Sequence, residues 1–110
     1  MARVALLCPD LLFGSKVEGA LAAAGHSVTR HDSPEAAREA AASSDVLVVD
    51  LTDSSFGGTA LGGEAVPTLA FYSHVDVDAR RAAEEAGFDL VVPRSRMARE
   101  TAELVERLAA

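Results

Sequence analysis

Residues 46–50 read VLVVD, four consecutive aliphatic side chains closed by a carboxylate. The run shows no alternation of polar and apolar positions, so it reads as a strand covered on both faces, as in the parallel sheet of an α/β protein. Asp50 then stands at the carboxyl end of that strand. In open α/β sheets this edge opens into the crevice where ligands and phosphoryl groups are handled. No lysine follows Asp50 in the chain; the only lysine is Lys16.

The pattern on either side of this strand repeats the alternation. Residues 3–8 (RVALLC) form a short apolar run bounded by Pro9, and Phe13, Val17, Leu21 and Ala24 then recur at helical spacing up to Gly25. Asp10 is placed to cap that helix at its start, and Gly25 to end it as the glycine after the C-cap. Residues 26–31 (HSVTRH) alternate as an edge strand does. Ser33 as N-cap and Pro34 at the first helical position open a second, alanine-rich helix running to Ser43. Downstream, Thr68–Tyr72 and Leu90–Val92 read as two more covered strands. Asp76 or Asp78 caps a helix that stops at Gly87, and Ser95 caps a last helix with the stripe Met97, Thr101, Leu104, Val105 and Leu108. Five strands alternating with helices predict a three-layer α/β/α sandwich, a five-stranded parallel sheet of order 2-1-3-4-5 with right-handed crossovers.

The connection 51–66 departs from the rhythm. It holds four of the eight glycines, Gly57, Gly58, Gly62 and Gly63, and each costs about 1 kcal/mol relative to alanine inside a helix. A short or frayed third crossover helix is expected. Its plain use is a trimmed connection; its functional use would be a loop beside Asp50 that gates a ligand or partner.

Composition narrows the function classes. The 110 residues suit a single domain, residues 1–110, with 49 % hydrophobic and 25 % charged residues. Even the longest uncharged runs, 65–75 and the equally long 19–29, fall well short of the ~18 apolar residues of a membrane span. Asp10, Lys16 and Glu18 interrupt the N-terminal apolar stretch before a signal-peptide core is complete. The lone cysteine, Cys8, sits in an apolar run as a buried, reduced thiol would. A cytoplasmic location is expected. A net charge of −7 and a pI near 4.8 oppose nucleic-acid binding, which needs a basic stripe over phosphate. Arg94, Arg96 and Arg99 do cluster, and read as a solvated helix start rather than an anion site.

With these residues in hand, the chain resembles the CheY-like receiver domains of bacterial response regulators, a flavodoxin-like fold. The resemblance is carried by the first strand leading to Asp10, VLVVD at the third, PTLAFYS (67–73) at the fourth and AGFDLVVPRS (86–95) at the fifth. It implies that the third-strand aspartate accepts a phosphoryl group, an acidic pair after the first strand binds magnesium, a Thr or Ser ends the fourth strand, and a lysine ends the fifth. The metal offsets oxygen charge, the hydroxyl reads the phosphoryl group and the lysine is the fixed cation. Carried over by position, Asp50 matches the acceptor and Ser73 the hydroxyl, with Tyr72 in that place when the count starts at Pro67. The acidic pair falls on Cys8 and Pro9, leaving Asp10 alone and one residue late. The lysine falls on Pro93 or Arg94, and arginine does not replace lysine conservatively at a tightly constrained site. The match is good for fold and poor for chemistry, the pattern of an atypical pseudo-receiver.

Plainer roles stand beside these. Asp50 alone would be a strand-end carboxylate bonded to loop amides, Ser73 a turn residue and His74 a loop imidazole. Asp10, Asp50 and His74 together are a weak candidate metal site. Cys8 at the end of the first strand also resembles phosphocysteine carriers of the IIB type and small cysteine phosphatases. Yet Pro9 removes an amide from its loop and Asp10 sets a negative charge where an anion would sit. A nucleotide or flavin site has only fold analogy behind it, because no glycine-rich fingerprint follows the first strand.

The expected function is a non-enzymatic, receiver-like signalling module that acts by protein–protein contact, stand-alone or as a homodimer. It would use no cofactor and be outside the standard phosphorylation mechanism of two-component signalling. Tyr72, Arg94 and Arg96 mark the expected partner surface, and Asp10, Ser73, His74 and Arg94 the pocket around Asp50. The alternatives are a phosphorylation-competent receiver using Asp50, and a small phosphate- or nucleotide-related enzyme or carrier using Cys8.

Overall fold

The structure, a computed structural model, describes residues 1–52, 57–73 and 77–110. In chain order its elements are β1 (Arg3–Leu7), α1 (Leu11–Ala23), β2 (Ser27–His31), α2 (Pro34–Ala41), β3 (Val46–Asp50), a 3₁₀ turn (Gly58–Leu61), β4 (Thr68–Tyr72), α3 (Val77–Ala86), β5 (Leu90–Pro93), α4 (Arg94–Arg99) and α5 (Thr101–Ala109). All strand pairings are parallel and the order is β2-β1-β3-β4-β5, as the sequence predicts.

Strands β3 and β4 are buried at every position, which is why their sequences carry no polar alternation. The sheet separates two apolar layers. On one side Leu6, Val48 and Phe71 meet Phe13, Val17 and Leu21 of α1, Met97 of α4, and Leu104 and Val105 of α5. On the other, Ala5, Leu7, Leu47, Val49 and Tyr72 meet mostly alanine: Ala37 and Ala41 of α2 and Ala83 of α3, with Leu61 of the 3₁₀ turn.

Local signals place the helix ends. The Asp10 carboxylate accepts the Phe13 amide at 3.0 Å and so caps α1. At the other end Gly25 adopts φ 91°, the His26 amide bonds the Leu21 carbonyl and the Gly25 amide bonds that of Ala22, a Schellman closure. The Ser33 hydroxyl accepts the Ala36 amide and Pro34 starts α2.

Among the described residues of the third crossover, the only helical turn is the 3₁₀ segment. Gly62 lets it lie on α3, since a Cβ there would run into the Ala86 carbonyl. The trimmed crossover is thus tied to close backbone approach.

Three expectations need correction. Ser95 does not cap the last helix: β5 runs one residue further, to Pro93, and helix begins at once with Arg94, leaving Ser95 inside α4. The last helix is also two pieces, broken at Glu100 (φ −121°, ψ 30°). At the break the Thr101 hydroxyl donates to the Met97 carbonyl at 2.6 Å, a bond that competes with the helical ladder and bends it. Strand β5 is less covered than expected, with only Val92 fully buried, because it forms an edge of the sheet. The Asp76 alternative for capping α3 lies outside the described residues; Asp78 sits in its first turn.

Candidate functional site

Asp50 ends β3 opposite Phe71 of β4 and is 3 % exposed. Its Oδ1 accepts two bonds from Thr52, from the amide at 2.8 Å and the hydroxyl at 2.6 Å. This is the local turn that a short acidic side chain forms with the backbone two residues on. The sequence reading missed Thr52, although a hydroxyl residue two positions after a strand-end aspartate is the spacing such a turn uses.

The other oxygen, Oδ2, accepts from the Cys8 thiol, with Sγ 3.5 Å away. The register explains the meeting: Leu7 pairs with Val49, so the next residues on β1 and β3 lie side by side. Burial is the main cause that pushes the Cys8 thiol from an ordinary 9.0 up to about 12, and the charge of Asp50 and its hydrogen bond add to it. The thiol is therefore protonated, a neutral donor rather than a nucleophile. Asp50 has no ion-pair partner among the described residues, and its bonds there come from neutral groups.

Asp10 has a different setting. Beyond capping α1, its Oδ2 pairs with Arg94 at 2.9 Å, and both side chains are about two-fifths exposed. The Phe13 amide first, and Arg94 second, hold the Asp10 carboxyl below the usual carboxylate range. The Arg94 guanidinium lies 4.2 Å from the centre of the Phe13 ring, which packs on Phe71 at 5.1 Å. A second guanidinium closes the loop from below: Arg30 reaches the carbonyls of Cys8 and Asp10 at 3.4 and 3.5 Å, in space left free by the missing side chain of Gly14.

The remaining candidates divide. Ser73 directly follows β4 and is half-buried. Arg96 is partly exposed on α4 and paired with Glu100 at 3.3 Å. Tyr72 corrects one expectation: it is only 6 % exposed and belongs to the apolar layer on the α2 and α3 side of the sheet, where the outward alternation of β4 sends it. It therefore has little side chain to offer a partner. His74 lies outside the described residues.

The magnesium ion that the resemblance implies does not fit these donors. Mg²⁺ demands near-octahedral oxygen ligation, whereas a protonated thiol stands beside Asp50 in the place of a carboxylate. Asp10 is engaged by Arg94, and no group of three acidic, histidine or cysteine side chains able to hold a metal occurs among the described residues.

No protein-family model matches the sequence, and no curated protein matches it. Solved structures do. The fold is similar to NtrX from Brucella abortus in complex with ADP, at 16 % identity and a TM-score of 0.82, covering 98 % of this chain and 26 % of that one. It is similar to the receiver domain of the Francisella response regulator 1452 (14 % identity, TM-score 0.83, 99 % and 97 % covered). It is similar also to a response regulator protein from Burkholderia multivorans (19 % identity, TM-score 0.73, 100 % and 97 % covered). The chain thus spans about a quarter of the Brucella protein and nearly the whole of the two others. Identities this low speak for architecture: the chain has the CheY-like fold of response-regulator receiver domains.

Proposed function

We propose that this chain is a receiver-like signalling module that works by protein contact and is not switched by the standard phosphotransfer mechanism. The observation that carries the reading is the state of Asp50, buried at 3 % exposure with both oxygens bonded by its own chain. A phosphoryl acceptor needs an open oxygen, a metal to offset charge and a fixed cation to hold the product. Here the oxygens are occupied by Thr52 and Cys8, and the one arginine at the end of β5 is committed to Asp10. A modification that is not held shifts no population.

The same geometry argues against the Cys8 carrier or phosphatase. A thiol pushed to about 12 beside a carboxylate supplies no thiolate for attack on phosphate. Enzymatic turnover is accordingly not part of the proposal. Arg94 and Arg96, both partly exposed on α4, remain as the contact surface, and α4 adjoins α1, whose first residues Leu11 and Leu12 are exposed. The partner is a protein or a second copy of the chain. No helix among the described residues is long and apolar enough to cross a membrane; with the single reduced cysteine, the reading places the chain in the cytoplasm.

Beryllofluoride or acetyl phosphate, added with Mg²⁺ and followed by NMR and by oligomeric state, tests the proposal. No change is expected in wild type or in Asp50→Ala. A response in wild type that Asp50→Ala abolishes would establish a working receiver instead.

A further inference from the structure

We infer that Arg94 is the resident cation of this crevice: its guanidinium on Asp10, together with the Cys8 thiol on Asp50, stands where a divalent ion and a second carboxylate would have to be. The inference rests on the reading of a non-switching module and names what keeps the edge of the sheet in one arrangement.

Arg94 is positioned from three directions. Its backbone opens α4 directly after β5, its guanidinium meets Asp10 Oδ2 at 2.9 Å, and its Cζ lies over the Phe13 ring, 4.2 Å from the centre. Asp10 is fixed independently by the Phe13 amide, and Phe13 by Phe71. The contacts close a circuit from the β1–α1 loop through α1 and β4 to the start of α4. A guanidinium suits such a place because it is planar, weakly hydrated and stacks on aromatic faces. A divalent ion does not: Mg²⁺ gives up water reluctantly and asks for oxygen ligands, and Mn²⁺ shares the preference for carboxylate and water. To admit either ion, Asp10 would have to release Arg94 and Asp50 would have to release a neutral donor that cannot ligate a hard cation in its protonated form. Arg94 is tethered, so its charge is present at every metal concentration.

The inference predicts that two substitutions turn the crevice into a cation site. Cys8→Asp adds the carboxylate beside Asp50, and Arg94→Gln removes the competing charge from Asp10. Titration with Mn²⁺, read as selective broadening of the amide signals of residues 8–12 and 50–52, compares wild type, both single variants and the double variant. Wild type is expected to show no selective broadening at millimolar Mn²⁺. The double variant should bind about tenfold or more tightly than either single one, the scale on which single partners of metal ligands act. Cys8→Ser, which adds an uncharged hydroxyl, should gain nothing comparable. Selective broadening of wild type at the concentrations that serve the double variant would overturn the inference, as would a folded double variant with no gain. Two adjacent buried carboxylates repel, so melting temperature in rising Mn²⁺ provides a second reading. An ion that binds only the folded state raises it; a double variant whose melting is indifferent to Mn²⁺ counts against the inference. The two proposals fail separately: a chain switched by beryllofluoride that still excludes Mn²⁺ sinks the proposed function and leaves Arg94 as resident cation, whereas Mn²⁺ entering an unswitched wild type does the reverse.

Discussion

Asp10 and Asp50 lie at the same edge of one sheet, both near Cys8, and their surroundings are opposite. Asp50 is buried, bonded by a thiol, a hydroxyl and an amide, with no cation beside it among the described residues. Asp10 is partly open to solvent and faces a guanidinium. In a buried setting each hydrogen bond counts for more and each missing counter-charge costs more, while an exposed pair is screened. The difference teaches where chemistry is blocked. Asp50 has the position of an acceptor with its oxygens engaged, and Asp10 has the charge of a metal ligand with an arginine already on it.

The buried side gives the largest effect. A thiol raised from 9.0 to about 12 holds roughly a thousandfold less thiolate than the unfolded chain near neutral pH. Labelling of native Cys8 by a thiol reagent should therefore run about that much slower than labelling in denaturant. Rapid native labelling would break the contrast and return Cys8 to the list of nucleophiles. Stability carries the same sign. The folded thiol keeps its proton where the unfolded one has lost it, so stability is unaffected below pH 9 and falls as pH climbs from 9 toward 12. Cys8→Ala should flatten that fall, measured by urea unfolding of both chains across the range.

A smaller effect separates the causes acting on the thiol. Burial ranks first and Asp50 second, so Asp50→Asn should lower the thiol pKa only partway. Faster native labelling is expected, still slower than in the unfolded chain. Recovery of the full unfolded rate would show that Asp50, not burial, governs Cys8.

How much of this could be read from the sequence depends on whether an interaction is local. VLVVD, the Asp10 cap, Gly25, Ser33 and Pro34 act within a turn or along one strand, and the sheet order followed from their alternation. The position of Asp50 was legible for the same reason. Its partners were less so: Thr52 was within reach of a turn argument, but the Cys8 contact spans 42 residues and Arg94–Asp10 spans 84, distances at which only the register of assembled strands decides who meets whom. Tyr72 failed as a surface residue because β4 is covered on both faces up to its last residue, so its side chain enters an apolar layer rather than solvent. Ser95 failed as a cap because β5 passes into α4 without a connecting loop.

The smallest effect belongs to the exposed carboxylate, and its sign sharpens the comparison. The Phe13 amide and Arg94 hold the folded Asp10 carboxyl below its ordinary range. A carboxyl lowered by folding contributes stability above the unfolded pKa, and the contribution disappears as pH falls through the folded one. Asp10→Asn should thus be slightly less stable than wild type at pH 7, with the gap closing in acid. Asparagine still caps a helix well, so what is lost is mainly the charge facing Arg94. High salt should narrow the gap at pH 7, because both side chains of that pair reach solvent. Urea unfolding at neutral and acidic pH, with and without salt, measures it. A gap that ignored both pH and salt would mean that Asp10 acts through its shape as a cap alone, and that Arg94 is held in place by Phe13 rather than by charge.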